Sequence, residues 1–475
     1  MSIALNGTPQ FDSSRDLHSF TARELESLYR SKALSPVEVT TAILDRIERL
    51  EPAVNAFALL DRESAIAAAK KSELRWRNGE ALGLADSVPA ALKDLLWVKG
   101  WPTLRGSRAI DPNQAWTEDS PAAARLREGG AILLGKTTTS EFGWKGLADS
   151  PLTGITRNPW DLRRTPGGSS GGAAVAAALG FGPFQVATDG GGSTRLPASF
   201  SGVFGFKPTF GLIPVYPSAH TGTLFHIAPL TRTVSDAASL LDIIAKPDPR
   251  DWHAAPYRPA GWQNVLDAGV KGLRVAFSPT LGHAKVDPEI AAAVTSAAHL
   301  LAEHGAIVEE ADPGIEDPHP VFRILWFAAA AQLLAGLPKG KRDLVEPGLQ
   351  KAAAEGRRID AVTYLGALQE REALGRKLSL FHQSFDLLIT PTTAQTAPYA
   401  EAADPGITDR PIPSPFTYPF NLTQQPAASV PVGLTAAGLP IGLQLIGAKY
   451  RDEFVLQAAR VLELARPFAR PADPL

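Results

Sequence analysis

The chain has 475 residues, 44% of them hydrophobic and 20% charged, with a net charge of −2. That is globular composition with length for a large core, and it lacks the basic bias of a nucleic-acid surface. It contains no cysteine, which excludes disulfide scaffolds, thiolate metal sites and thiol nucleophiles together.

In chain order, Thr21 with Glu24 and Ser35 with Glu38 fit capping boxes, and Pro36 sits at the favoured first helical position. "VEVTTAILDRIERLEPAVNAF" then carries apolar residues at helical spacing, and residues 62 to 79 read as another helix. "SVPAALKDLLWVKG" (87–100) begins as a strand that runs into a lysine and an aspartate. Residues 120 to 129 predict a helix capped by Ser120 with Pro121 behind it, and "AILLGK" (131–136) a strand. Residues 154 to 211 are glycine-rich, with helical "AAVAAALG" and strand-like "FQVATD" between two glycine clusters. Strand and helix alternate again through "LRVAFSP" (273–279), a helix from Asp287 to Glu303, and "AIVEEAD". Residues 318 to 384 read as helical, "FDLLITPTTAQTAP" as a buried strand ending in a loop, and 426–447 as two strands around a turn before a terminal helix. The alternation predicts one α/β domain over residues 1–475, with a central mixed, twisted sheet covered by helices on both faces. "MSIALNGTPQFDSSRD" has no basic-then-apolar leader, and no apolar run reaches the roughly 18 residues of a membrane helix. The expectation is a cytoplasmic protein with neither membrane nor nucleic-acid partner.

Two short motifs mislead. "GGAILLGKT" (129–137) fits the phosphate-loop expression from Gly130 to Thr137, yet its intervening residues Ala, Ile, Leu, Leu are a strand rather than a loop. "GGSSG" (167–171) fits the nucleophile elbow, which must follow a strand directly; "NPWDLRRTP" cannot be one. A serine triad would also need a histidine downstream. His226, His283, His299, His304, His319 and His382 offer no distinctive setting, and His299 and His304 read as helix-surface residues.

A more specific combination remains. Lys93 follows an apolar strand, a glycine–serine cluster spans Gly167 to Gly172, and Ser193 comes 24 positions after Ser169, behind Gly190, Gly191 and Gly192. A lysine can serve as base to a serine if burial depresses its pKa from about 10.4. A second serine can relay the proton between them.

The blocks "KDLLWVKGWPTLRGS", "GGAILLGKTTTSEFGW", "RNPWDLRRTPGGSSGGAAVAAALG", "VATDGGGSTRLPASFSGVFGFKPTFG", "FDLLITPTTAQTAP" and "FNLTQQPAASVPVGLTAAGLPIGLQLIG" together resemble the amidase signature family, in its order and over roughly residues 20 to 470. The resemblance implies a single amidase signature fold, with a helical N-terminal segment (1–80), a core (81–215) and a remainder (216–475) that completes the sheet. It implies a serine-dependent amidase without metal or organic cofactor, acting as monomer or homodimer. Ser193 would be the nucleophile, Ser169 the bridging serine after a cis Gly168–Ser169 bond, and Lys93 the base, supported by Ser170. Gly190, Gly191, Gly192 and the Ser193 amide would form the oxyanion hole, because consecutive glycines let successive N–H groups converge on one oxygen. Asp189 and Arg195 would either brace the turn as an ion pair or contact substrate. Phe142, Gly143 and Trp144 fall on a pocket loop, although Trp144 is also compatible with simple core packing.

Two residues depart from the family pattern. Gly190 replaces a common isoleucine or threonine, leaving that wall bare, and Thr138 replaces a frequent asparagine. With Phe142, Trp144, Phe416 and Tyr418, the bare wall points to an aryl or bulky apolar amide, anilide or carbamate. The alternative is the glutaminase component of a tRNA-dependent amidotransferase, which must hold the charged ends of glutamine. Where such charges belong, "PSPFTYPFNLTQQP" (413–426) is apolar and aromatic.

Overall fold

The computed structural model describes residues 16–256, 261–401 and 415–474. The N-terminal stretch 1–15, and Pro413 and Ser414 of the apolar segment, lie outside the described residues. The strands are β1 (Phe57–Leu60), β2 (Pro89–Lys93), β3 (Ile132–Thr137), β4 (Asp149–Ser150), β5 (Gly154–Ile155), β6 (Phe184–Asp189), β7 (Phe204–Lys207), β8 (His226–Thr231), β9 (Arg274–Phe277), β10 (Ile307–Glu310), β11 (Leu387–Pro391), β12 (Ala427–Leu434) and β13 (Pro440–Gly447). The helices are α1 (Ala22–Arg30), α2 (Pro36–Val54), α3 (Arg62–Asn78), α4 (Pro121–Glu128), α5 (Gly171–Ala178), α6 (Arg195–Ser201), α7 (Val234–Ile244), α8 (Trp262–Val265), α9 (Pro288–Glu303), α10 (His319–Gly336), α11 (Pro347–Gly356), α12 (Ala361–Phe381), α13 (Pro419–Leu422) and α14 (Asp452–Ala465).

Local chemistry explains where the early helices start. At α1 and α2 the Thr21 and Ser35 hydroxyls accept from the Glu24 and Glu38 amides, and each glutamate reaches back to its cap, closing both capping boxes. Helix α4 begins after Ser120, but that hydroxyl makes no capping bond and has no hydrogen-bond partner. Pro121 at the first turn and the apolar face Ala122, Ala123 and Leu126 set this helix instead. The long helical stretch near 318–384 divides into α10, α11 and α12, with a 3₁₀ turn at Lys339–Leu344 after the first of them.

Eleven strands form one mixed sheet in the order β1-β3-β2-β6-β8-β7-β12-β13-β11-β9-β10. β3, β2 and β6 run parallel at one end and β11, β9 and β10 at the other, with antiparallel pairs between them. Alternate residues serve opposite faces, as the period of two requires. Ala90 and Leu92 of β2 join Leu133 in the core shared with α4, α7, α9 and α14, whereas Ala91, Ile132 and Leu134 join the core under α1, α2 and α3. Leu387 and Ile389 of β11 face the first of these cores, and Leu388 turns to Leu378, Phe416 and Phe420.

Helix α5 is buried along its whole length, and the glycines at and before its start have structural reasons to be glycines. A Cβ at Gly172 would sit 2.4 Å from Ala56 O, and one at Gly168 would sit 1.9 Å from Leu147 O. A similar constraint holds the sheet edge, where β1 crosses β3 at a bulge and a Cβ at Gly135 would lie 2.0 Å from Leu59 O. We therefore expect Gly135→Ala to cost about 1–3 kcal/mol by overpacking. A lower denaturation midpoint would show it, and an unchanged midpoint would mean that β1 is free to withdraw.

Candidate active site

Lys93 is the last residue of β2 and Thr188 the penultimate residue of β6, so both stand at the carboxyl ends of adjacent parallel strands. Ligand sites of α/β sheets form at such ends. The lysine side chain is fully buried, and its Nζ lies 2.6 Å from Ser169 Oγ, 2.8 Å from Ser170 Oγ and 3.0 Å from Thr188 Oγ1. Among the described residues no carboxylate pairs with it. Burial lowers its pKa well below the ordinary lysine value, and the charge of Asp189 only partly opposes this. The Ser170 hydroxyl already donates to Thr188 O at 3.0 Å and so accepts from Lys93. Ser169 Oγ and Thr188 Oγ1 complete the three hydroxyls around the amine. The sequence gives no reason to single out Thr188; as a strand residue before Asp189, it reads as core.

The Gly168–Ser169 bond is cis. Ser170 N donates to Ser193 O at 3.1 Å, which holds the two serine segments against each other. Ser193 is 8% exposed, more than Ser169 at 1%, and its hydroxyl has no fixed partner among the described hydrogen bonds. The glycine loop differs in one respect from the expected oxyanion hole. Gly192 N donates to Asp189 Oδ1 at 2.8 Å and Thr194 N to Asp189 Oδ2 at 3.2 Å. Gly192 is therefore turned inward, with φ +127°, and a Cβ there would strike Thr417 Oγ1. The amides of Gly190, Gly191 and Ser193 make no hydrogen bond among those described, which leaves these three for a bound oxyanion.

The structure resolves the alternatives left open for Asp189 and Arg195. Both are fully buried, and all five N–H donors of Arg195 are used. Nε and Nη2 bond Asp189 at 3.0 and 2.9 Å, Nη2 also bonds Asn421 Oδ1 at 2.6 Å, and Nη1 bonds Thr417 O at 2.9 Å and Gln444 Oε1 at 2.8 Å. No donor remains for substrate. Burial alone would raise the Asp189 carboxyl, but Arg195 beside it, then Lys207 and Asn421, hold it well below the usual carboxylate range.

Of the pocket residues, Gly143 approaches the centre: a Cβ there would lie 3.2 Å from Ser169 Oγ. Phe142 is buried in a separate apolar cluster with Ala330, Leu333 and Leu349, so it packs rather than lines. Trp144 is half-buried; its indole N–H bonds Glu346, and its carbonyl accepts from Trp326 Nε1 at 3.0 Å. Burial pushes Glu346 up to about 7, against the opposing effect of Lys145 at 2.8 Å. Phe416 is core.

The Gly190 wall is not bare. A Cβ on Gly190 would meet Trp326 at 3.1 Å, and one on Gly191 would meet Phe322 at 2.7 Å. Phe322 stacks on Trp326 and on Tyr418, each at 5.1 Å between ring centroids. Phe322 and Trp326 come from one face of α10, four residues apart, in a segment that the sequence marks only as helical. Apart from Tyr418, this aromatic wall escapes sequence reasoning, because its signal is a tertiary one.

Neither misleading motif gains a function from the structure. Lys136 is inside β3 and pairs with Asp94 at 3.1 Å, and no strand precedes Ser169 between Ile155 and α5. His299 and His304 are exposed on and after α9, and His226 is buried behind the glycine loop with Lys207 at 3.4 Å. Among the described residues, no group of three or more histidine, aspartate or glutamate side chains could hold a metal ion, and no helix is long and apolar enough to cross a membrane.

Comparison with known proteins agrees with this geometry. The Amidase family model matches residues 38–456. An acylamidase of Rhodococcus erythropolis is 36% identical over 477 residues, covering 97% of this chain and 99% of the relative. The glutamyl-tRNA(Gln) amidotransferase A subunit of Moorella thermoacetica is 36% identical over 488 residues, covering 96% and 98%. Among solved structures, a bacterial aryl acylamidase of the amidase signature enzymes superposes with a TM-score of 0.89 at 31% identity, over 95% of this chain and 97% of that one. Likeness of this length, in sequence and in backbone alike, is inherited rather than accidental: the chain belongs to the amidase signature family of carbon–nitrogen hydrolases.

Proposed function

We propose that the protein is a free-standing amidase that hydrolyses aryl or other bulky apolar amides through an acyl-enzyme on Ser193. The observation that carries this reading is the Lys93 amine, fully buried, without a carboxylate partner among the described residues, and 2.6 Å from Ser169 Oγ. Lys93 takes a proton from Ser169 as Ser169 takes one from Ser193, and Ser193 Oγ attacks the amide carbon. The oxyanion is received by the amides of Gly190, Gly191 and Ser193. The proton returns through Ser169 to the departing nitrogen, and water then releases the acid and regenerates Ser193.

The aromatic wall favours an aryl group on one arm of the substrate, since ring stacking adds to apolar burial. The relatives include both an acylamidase and an amidotransferase component. Against the second role stands the described part of the C-terminal loop, residues 415–425, which contains no charged side chain. There Thr417 O and Asn421 are committed to Arg195, and Phe416 to the core. Ammonia release from glutamine exceeding that from aryl amides, with a co-purifying partner, would reverse this choice.

Ser193→Ala is expected to abolish release of aromatic amine from an anilide, and Lys93→Ala to do nearly the same. Ser169→Ala should leave a small residue of activity. Near-wild-type turnover by Ser193→Ala would remove the assignment. The pH dependence follows from the sign of the lysine shift. The active form is deprotonated and its pKa is lowered, so kcat/KM rises as Lys93 loses its proton and levels off at a midpoint well below about 10.4. A midpoint near that of free lysine would contradict the buried neutral base. Trp326→Leu should lower kcat/KM for anilides about three- to tenfold relative to an aliphatic primary amide, consistent with a stacking contribution of about 0.5–1.5 kcal/mol. Equal losses on both would show that the wall serves packing alone.

A further inference from the structure

Arg105 stands apart from the other buried cations. Lys136 bonds Asp94 and Thr103, Arg195 uses all its donors, and Arg371 bonds Leu422 O and Thr223. The Arg105 side chain is half-buried, and among the described residues it makes no hydrogen bond and no ion pair. Burial lowers its pKa, with Asp94 as the nearby opposing charge. Asp94, however, is engaged by Lys136 at 3.1 Å and by Gly106 N at 3.4 Å. Two cations, Arg105 and Lys136, thus share one carboxylate. A half-buried guanidinium without a protein acceptor has donors to offer, and an incoming anion would fill them.

The position of Arg105 ties it to the reacting centre. Its carbonyl accepts from Phe142 N at 2.8 Å, next to Gly143, the residue whose Cβ would lie 3.2 Å from Ser169 Oγ. Its own φ of +56° is a left-handed conformation that a non-glycine residue adopts at some cost. On its other side is His220, which burial and then Arg105 push down to about 4, so that it adds no charge at neutral pH. Thr221 follows, 7% exposed, with a hydroxyl that has no hydrogen-bond partner and lies 3.9 Å from where a Gly190 Cβ would be. The Arg105 backbone therefore adjoins the Phe142–Gly143 turn beside Ser169, and the unpaired Thr221 hydroxyl adjoins Gly190, one in the segment after β2 and the other in the segment before β8.

We infer that Arg105, assisted by Thr221 Oγ1, receives a carboxylate carried by the amide substrate, so that the preferred substrates are anionic monoamides with an aryl group on the other arm. The inference rests on the reading of Ser193 as the reacting group, since the carboxylate is placed relative to that residue. Arg105 binds the planar carboxylate through paired N–H donors.

Butyranilide and the monoanilide of succinic acid differ at the end of the acyl chain in charge and little else. The wild type should favour the acid by about tenfold or more in kcat/KM, the scale of a hydrogen bond to a charged group. Arg105→Gln should bring that ratio to about one through KM for the acid, and Arg105→Lys should restore part of it. Calorimetry on Ser193→Ala supplies a measure free of turnover: adding Arg105→Gln should weaken succinate monoanilide binding by about tenfold or more. A wild-type ratio of one or less with Ser193-dependent turnover of butyranilide, or binding indifferent to Arg105→Gln, would overturn this inference and spare the amidase reading. Arg105-dependent binding with neither anilide cleaved would do the reverse. No cleavage and no Arg105-dependent binding would overturn both.

Discussion

The buried pair of Asp189 and Arg195 is the constraint on which the site depends. Asp189 ends β6 and ties down the amides of Gly192 and Thr194, and Arg195 begins α6. Through Asn421, Thr417 O and Gln444, the guanidinium reaches the loop before β12 and then β13. One ion pair thereby connects the strand that ends beside Lys93, the loop that carries Ser193, and the segment that supplies Tyr418. Two buried charges are expensive to desolvate, and such a pair is tolerable only when its remaining hydrogen-bond capacity is filled. Here Arg195 is filled completely. The return is positional: Gly192 is drawn inward, and the amides of Gly191 and Ser193 on either side keep no partner among the described hydrogen bonds.

Two lysines on neighbouring strands show how environment alone assigns roles. Lys93 and Lys136 are both fully buried, and burial depresses the pKa of both. Lys136 has Asp94 within 3.1 Å and serves as a structural cation. Lys93 is surrounded by three hydroxyls and has no carboxylate partner among the described residues, the setting on which its proposed role as base rests. Asp94, the residue that follows Lys93 past the end of β2, is engaged by Lys136 instead.

The capping boxes at α1 and α2, the strands around Lys93 and "FQVATD", and the C-terminal hairpin are legible in the sequence because their signals are local. Spacing alone brings Lys93, Ser169 and Ser193 to notice, and the structure puts the first two in direct contact. What is illegible depends on tertiary packing. Strands β1 and β7 are short, and β8 is buried along its whole length, so none of the three shows the alternation of a half-exposed strand. The inward turn of Gly192 is a consequence of a carboxylate, whereas the sequence shows only three equivalent glycines. The wall over Gly190 looks bare in the sequence because Trp326 lies far along the chain, on a helix whose facing cannot be read there.

That distance has a consequence for how such a site can change. Lys93, Ser169 and Ser193 lie on strands and loops locked by buried hydrogen bonds, whereas Phe322 and Trp326 are carried by α10, a helix laid over them from outside the sheet. Exchange of a side chain on that helix alters what the oxyanion loop sees without disturbing any bond that holds the loop. On the proposed function, reaction and recognition are separable parts, and a lineage could drift between amides of different shape by mutations in α10 while its chemistry stayed fixed.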